Sequence, residues 1–266
     1  MPRPLADILV LLETLAPLEL AEDWDNVGLL VEPVSGLSVQ RVLLTVDLTE
    51  PVLAEALEFG AELVIAYHPP IFKGQKRLTQ QRATERVLIQ AIRAGLAVYS
   101  PHTALDSAPG GMNDWLAGLL GPGRVRPIQP HPRVETVGAG RIVQLDNPLP
   151  LEDALGHIKA GLSLSGLRVA AADQHQEGEL IETFAVCAGA GGSVFEKLHH
   201  ADLLLTGEMR HHDVLARVAA GQTVVLTDHT NTERGFLPKL AACLRENFPG
   251  LELRVSVKDR DPLVIQ

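Results

Sequence analysis

Short apolar runs alternate along this chain with stretches whose apolar residues recur at helical spacing. Most of the runs are apolar throughout, so each predicts a strand that is covered on both faces. The predicted strands are Arg41–Val46, Leu63–Ala66, Leu96–Tyr99, Thr183–Val186, Leu203–Thr206 and Thr223–Thr227. Helical patterns lie between them, at residues 50–60, 80–94, 193–200 and 209–220. Strands that alternate with helices are typical of an α/β fold.

The stretch 121–133 is rich in Pro and Gly and predicts a linker or a long loop. It divides the chain into two predicted α/β lobes, 1–124 and 125–266, with helices flanking mixed sheets. The second lobe opens with further predicted elements. These are a strand at 135–144, a helix at 151–161 and a strand at 168–172, and a last strand is predicted at 251–257.

The two lobes share short phrases in the same order, which favours an internal duplication over coincidence. Ala61–Ile65 recurs as Ala201–Leu205, in each case after a predicted helix and before a polar strand end. The next strand in each lobe is followed by His-Thr, two residues and a carboxylate. These two phrases are His102–Asp106 and His229–Glu233.

Composition and charge restrict the function classes. The 266 residues are 46% hydrophobic and carry a formal net charge of −10, so an extended nucleic-acid surface is not expected. The two cysteines, Cys187 and Cys243, form no CxxC pair and indicate neither a zinc knuckle nor a disulfide framework. The N-terminal pattern predicts an amphipathic helix, and no apolar run reaches membrane-spanning length. We therefore expect a soluble cytoplasmic protein.

Imidazoles and carboxylates are concentrated just beyond the predicted strands, where α/β sheets bind their ligands. The residues concerned are His68, His102, Asp106, Glu208, His211, His212, His229 and Glu233. Such a mixture suits zinc, iron, manganese or nickel, and the lack of a thiolate disfavours a closed structural zinc site. The pattern predicts one or two divalent ions in a cleft between the lobes.

Each of these residues also has a simpler interpretation. His68 precedes two prolines and could merely end a strand, and Asp106 could form a turn. Glu233 could lie in the first turn of a capped helix, and His211 and His212 could be a solvated pair on a helix. A buried hydrogen-bond network without metal remains a third alternative for the set.

Two further segments have a candidate function and a structural alternative. Cys187–Ser193 follows a strand and opens a helix, so its small residues could hold an anion, although a tight turn explains them as well. Asp23–Leu29 places two acids and an Asn around Trp24. Asp25 and Asn26 could contact a substrate, or the loop could be a polar turn anchored by a buried Trp.

These motifs together resemble the Nif-three-like family, whose members are often labelled GTP cyclohydrolase type 2 homologues. The resemblance rests on Glu22–Leu29, Tyr67–Phe72, His102–Asp106, Thr206–His212 and Asp228–Glu233, in that order. It implies a dinuclear metal centre between two α/β lobes and a toroidal homohexamer built as a trimer of dimers.

The resemblance also implies individual roles. His68 and Asp106 would bind the first metal, His229 the second, and Glu233 would bridge both. Many members carry a His-His pair where this chain has Tyr67 and His68, so the second ion would be weak, absent or assisted by His102. Tyr67 and His102 join Asp25 and Asn26 as candidate substrate-binding residues.

Two functions follow as hypotheses. The first is a metal-dependent hydrolase acting on a nucleotide or another phosphorylated small molecule, with Glu208, His211 or His212 as general acid or base. The second is a non-catalytic, metal-loaded scaffold or adaptor for other proteins.

Overall fold

A computed structural model describes residues 1–263 of the chain, and within them thirteen strands and ten α-helices. The strands are β1 (Arg3–Pro4), β2 (Gly28–Val31), β3 (Ser38–Val39), β4 (Arg41–Thr45), β5 (Leu63–Ala66), β6 (Ala97–Ser100), β7 (Gly123–His131), β8 (Val134–Leu149), β9 (Arg168–Ala170), β10 (Ile181–Cys187), β11 (Leu203–Thr206), β12 (Thr223–Leu226) and β13 (Glu252–Val255). The helices are α1 (Leu5–Leu15), α2 (Glu50–Phe59), α3 (Ala83–Arg93), α4 (His102–Ser107), α5 (Met112–Ala117), α6 (Leu151–Leu162), α7 (Asp173–Gln176), α8 (Gly192–Phe195), α9 (His211–Ala219) and α10 (Leu237–Asn247).

The chain divides into two compact units. The first contains Met1–Leu105 and Phe236–Arg260, and the second contains Asp106–Gly235 and residues 261–263. The chain returns to the first unit after Gly235, where it forms α10 and β13. The return is held by β13, which pairs in parallel with β4.

The first unit is built on a five-stranded sheet in the order β13-β4-β5-β6-β2, with only β2 antiparallel to its neighbour. β5 is buried along its whole length, which is why its sequence is apolar throughout. Helices α2 and α3 cover this sheet with apolar residues one turn apart, such as Val52 and Ala56 or Val87 and Ala91. The core of the unit lies between these helices and the sheet.

The second unit is built on a six-stranded mixed sheet in the order β7-β8-β10-β11-β12-β9. The strands β10, β11 and β12 are parallel, whereas β9 and the long hairpin of β7 and β8 run antiparallel to their neighbours. A core cluster packs Phe195 and Leu198 against strand residues such as Ala185 and Leu204. Both units are therefore mixed α/β sheets flanked by helices, as predicted.

The two sheets also share an order of strands. In each unit, three parallel strands that are consecutive along the sheet are followed by an antiparallel edge strand, β4-β5-β6-β2 in one and β10-β11-β12-β9 in the other. The phrases His102–Asp106 and His229–Glu233 follow β6 and β12, which occupy the same place in this order. The shared topology agrees with the repeated phrases in the sequence.

Two predicted elements were wrong. The predicted linker 121–133 is largely β7, which pairs with β8 from Gly123 to His131. Pro127 and Pro130 are tolerated there because β7 is an edge strand. The helix predicted at 193–200 is reduced to the four residues of α8. Within the described residues 1–263, no helix is both long and apolar enough to cross a membrane.

Candidate metal centre

His68 lies at the end of β5 in the first unit, where the strand places it next to two other aromatic rings. Its Nδ1 lies 2.9 Å from Oδ1 of Asp47, which follows β4. The ring centroids of His68 and His102 are 5.3 Å apart, and that of Tyr67 lies 5.1 Å from His68. A carboxylate at one ring nitrogen is the arrangement that orients an imidazole for a metal at its other nitrogen.

His102 is held by a buried carboxylate. Its Nδ1 lies 2.8 Å from both carboxylate oxygens of Asp25, and the Asp25 side chain has no exposed area. Thr103 donates to Asp25 Oδ2 from its amide at 3.1 Å and from its hydroxyl at 2.5 Å. Burial raises the pKa of Asp25, but the hydrogen bonds from His102 and Thr103 outweigh it, so the pKa lies below its usual value.

The loop from Asp23 to Leu29 is not anchored by a buried Trp, the structural alternative considered for it. The Asp25 side chain is buried against His102. Asn26 donates from Nδ2 to the carbonyl of Ile71 at 2.5 Å and ties the loop to the segment after His68. Trp24, expected as a buried anchor, is 59% exposed and packs at 5.9 Å against the ring of Phe72. Tyr67 is only 2% exposed.

The second unit brings together His229, Glu233 and Glu208. The Nε2 atom of His229 lies 3.5 Å from Glu233 Oε1, and its Nδ1 lies 3.6 Å from Glu208 Oε2. Glu233 is 2% exposed, whereas the side chains of His229 and Glu208 are 36% and 55% exposed. The site thus has a buried carboxylate behind a partly exposed imidazole, with a second carboxylate at the surface.

Gly189 makes room for this pair. It has a φ of +61°, and a Cβ at this position would lie 2.8 Å from both His229 Nε2 and Glu233 Oε1. The amide of Gly189 donates to Thr232 Oγ1 at 2.8 Å, and the Thr232 hydroxyl donates to the carbonyl of His229 at 2.7 Å. The turn after β10 and the loop after β12 are locked together by these bonds.

The backbone of the same turn is bonded to surrounding side chains. Ala188 N donates to Asn113 Oδ1, Gly189 N to Thr232 Oγ1, and Gly191 N to Thr206 Oγ1. Three backbone donors between Cys187 and Ser193 are therefore occupied by side chains, as in the tight turn that was the structural alternative for this segment.

Asp106 is half-buried in the second unit, at the end of α4. Its carbonyl accepts from Nδ2 of Asn113 at 3.1 Å, and Asn113 also holds Ala188. The buried guanidinium of Arg141 donates to the carbonyls of Ser107, at 3.1 Å, and Ala108, at 3.4 Å, and pairs with Asp114. The loop that carries Asp106 is thus fixed to β8 and to the turn after β10.

His211 and His212 lie at the exposed start of α9, and their rings pack against each other with centroids 5.4 Å apart. The side chain beside His229 Nδ1 is that of Glu208.

Sequence reasoning missed Asp47, Asn113 and Arg141, and it noted Gly189 only as one small residue of the turn Cys187–Ser193. Asp47 directly follows a predicted strand, so the reasoning applied to His68 could have found it. Asn113 and Arg141 carry no signal of their own, because their role depends on contacts with distant segments.

Comparison with known proteins shows extended similarity. The model of the family described as Duf34/NIF3 (NGG1p interacting factor 3) matches residues 4–262. NIF3-like protein 1 of Drosophila melanogaster is 43% identical over 267 residues, which cover 98% of this chain and 89% of that protein. NGG1-interacting factor 3 of Saccharomyces cerevisiae is 38% identical, with 92% of this chain and 90% of that protein covered.

The fold is also similar to that of solved structures. A hypothetical protein of Staphylococcus aureus superposes with a TM-score of 0.87 at 25% identity, and the match covers 100% of both chains.

Proposed function

Because this chain belongs to the Duf34/NIF3 family, we propose that it binds a divalent metal ion and hydrolyses a small phosphorylated molecule. As the family resemblance implies, His68 and Asp106 would hold a first ion, His229 would hold a second, and Glu233 would bridge both. Imidazoles and carboxylates together form a donor set that suits zinc, iron, manganese or nickel.

The observation that carries this proposal is the space kept beside His229 and Glu233. Gly189 adopts a left-handed conformation there, and any larger residue would fill the place next to Nε2 and Oε1. Glu233 is almost fully buried, and a carboxylate is costly to bury unless a cation or hydrogen-bond donors compensate its charge. These features fit a metal ligand better than they fit a residue of a helix cap.

A divalent ion supplies Lewis-acid chemistry when it is bound at such a site. The protein's own residues provide the rest. Asp47 orients His68, and Glu208 lies 3.6 Å from His229 at the exposed side, where it can accept a proton from water. His211 and His212 are alternative proton carriers on the surface of the same unit. Tyr67, His102 and Asn26 remain candidates for contact with the substrate.

Metal content tests the first half of the proposal. The wild type, Glu233→Gln and the control His200→Ala are each loaded with manganese, zinc or iron. Their bound metal is then compared by elemental analysis. His200 is an exposed imidazole that pairs with Asp202, so its replacement should leave the metal content unchanged. Removal of a ligand should weaken metal affinity at least ~10–100-fold, the effect known for residues that only support ligands. Equal metal content in wild type and Glu233→Gln would refute the site.

Turnover tests the second half. The metal-loaded protein is assayed with GTP and with phosphate monoesters, and Glu208→Gln is compared with the wild type at equal metal content. Loss of a general base should lower turnover by about 10²–10⁴-fold. Identical residual rates in the wild type, Glu208→Gln and Glu233→Gln would contradict a hydrolase.

A scaffold or adaptor is the second candidate. It is favoured by the name of the yeast relative, which describes that protein as an interacting factor. The exposed pair Trp24 and Phe72 offers an apolar surface that a partner could cover. The adaptor hypothesis expects no turnover even at full metal occupancy, which separates it from the hydrolase.

We also propose a cytoplasmic homohexamer, for which light scattering should give six times the mass of one chain.

A further inference from the structure

A basic segment follows Phe72 in this acidic chain. Residues 73–82 contain four cations, Lys73, Lys76, Arg77 and Arg82, and no acidic residue, whereas the whole chain has a net charge of −10. The segment forms neither helix nor strand, and all of it is exposed except the half-buried Thr79. The net charge of the whole chain repels anions, whereas these four positive charges create a local field that attracts them.

Three of these cations surround an open cavity of about 360 Å³. Its polar lining consists largely of Lys76, Arg77 and Arg82 together with Gln75, Gln81 and Thr79. This volume lies within the range of cavities that hold small molecules and is far too small for a polynucleotide. The cavity therefore offers cationic and amide donors to a ligand of modest size.

The cavity also contains a carboxylate, Glu85, which offsets only part of the positive charge. Glu85 is 5% exposed and its Oε2 accepts from the amide of Thr79 at 2.9 Å and from its hydroxyl at 2.5 Å. Arg82 Nε lies 3.8 Å from Glu85 Oε1. One negative charge facing three positive charges leaves a surplus of two, while Thr79 holds the loop in place.

We propose that this cavity binds the phosphate group of a small phosphorylated molecule through Lys76, Arg77 and Arg82. Arginine matches the geometry of phosphate oxygens with paired N–H donors, and lysine adds a compact charge. Gln75 and Gln81 can donate from their side-chain amides. The anion site itself involves none of the metal ligands. Only the identification of the bound molecule as the substrate rests on the proposed function.

Binding of pyrophosphate to metal-free protein tests the site. The full chain is stripped with a chelator, the chelator is removed by buffer exchange, and pyrophosphate is titrated by calorimetry. Lys76→Ala/Arg77→Ala is compared with Lys73→Ala/Arg93→Ala. Both double variants remove two exposed positive charges from the first unit, but Lys73 and Arg93 do not line the cavity.

The dissociation constant should rise at least about tenfold in Lys76→Ala/Arg77→Ala, because hydrogen bonds to charged groups are lost. It should change little in Lys73→Ala/Arg93→Ala. Equal weakening in both double variants would mean general electrostatic attraction and would overturn the site, as would wild-type protein that does not bind pyrophosphate. Neither result would affect the metal content of the wild type or of Glu233→Gln, so failure of this site and failure of the metal site remain distinguishable.

Discussion

Replacement of Gly189 by Ala tests the construction of the candidate metal centre. Its φ of +61° is a left-handed conformation that costs a residue with a Cβ about 1–2 kcal/mol. The new Cβ would lie 2.8 Å from His229 Nε2 and Glu233 Oε1, and such overpacking typically costs about 1–3 kcal/mol. The smaller entropy of the unfolded variant returns about 0.4–1 kcal/mol. We therefore expect Gly189→Ala to lower the free energy of unfolding by about 1–5 kcal/mol.

The assay can be confined to the unit that contains Gly189. The chain has two tryptophans, Trp24 in the first unit and Trp115 in the second. In a Trp24→Phe background, urea unfolding followed by fluorescence reports on Trp115 alone. Trp24 is 59% exposed, so this background substitution should disturb the fold little.

Gly192→Ala is the matched control. It makes the same change at α8, a few residues further along, but the nearest side-chain atom to its Cβ would be Asp213 Oδ2 at 3.8 Å. Its stability should stay within about 1 kcal/mol of the parent. In addition, Gly189→Ala should bind less metal than Gly192→Ala. If Gly189→Ala unfolds at the same urea concentration as the parent and retains its metal, the space beside His229 and Glu233 has no role in either.

Two more substitutions test contacts within the second unit. Arg141→Met should lower the free energy of unfolding in urea by about 3–5 kcal/mol, because it removes the guanidinium that donates to Asp114 and to four buried carbonyls. Arg141→Lys should not restore this stability, since an ammonium cannot reproduce the planar fork of N–H donors in arginine. Full rescue by Lys would contradict this account. Burial raises the pKa of Asp202, but hydrogen bonds from Thr183 and Glu182 outweigh this effect, so the pKa lies below its usual value of 3.8. The ionised carboxylate therefore stabilises the fold above pH 3.8. This contribution to stability disappears as the pH falls through the lower pKa of the folded state. Asp202→Asn should consequently lose less stability than the wild type between about pH 5 and about pH 3, whereas the exposed Asp173→Asn should not, and identical pH profiles for all three proteins would rule out this role.

The strands were predictable because their signal is local. A strand buried on both faces is apolar in every position, and β5 and β11 lie where the runs Leu63–Ala66 and Leu203–Thr206 predicted them. The failure at 121–133 has a related cause. Pro and Gly are read as breakers, but an edge strand leaves part of its backbone unpaired and so tolerates them.

The candidate site was predictable only in part. Strand ends pointed to His68, His229 and Glu233, since functional polar residues follow the carboxyl ends of parallel strands. Asp25 was a candidate only because it lies in the polar loop around Trp24, and the structure places its side chain against His102. Sequence alone could not show that His102 contacts the Asp25 carboxylate, because the two residues lie 77 positions apart.

The sequence by itself determined the class of fold, the membership of a family and the kinds of side chain at the strand ends, since these follow from local periodicity and from short motifs. The tertiary structure decided which carboxylate holds which imidazole, and that Gly189 rather than a larger residue faces His229 and Glu233. It also decided that the basic residues after Phe72 line a cavity and that the stretch 121–133 is a strand. The physical reason is the same in each case: distances, burial and hydrogen-bond partners between segments far apart in the chain exist only once the sheets have formed.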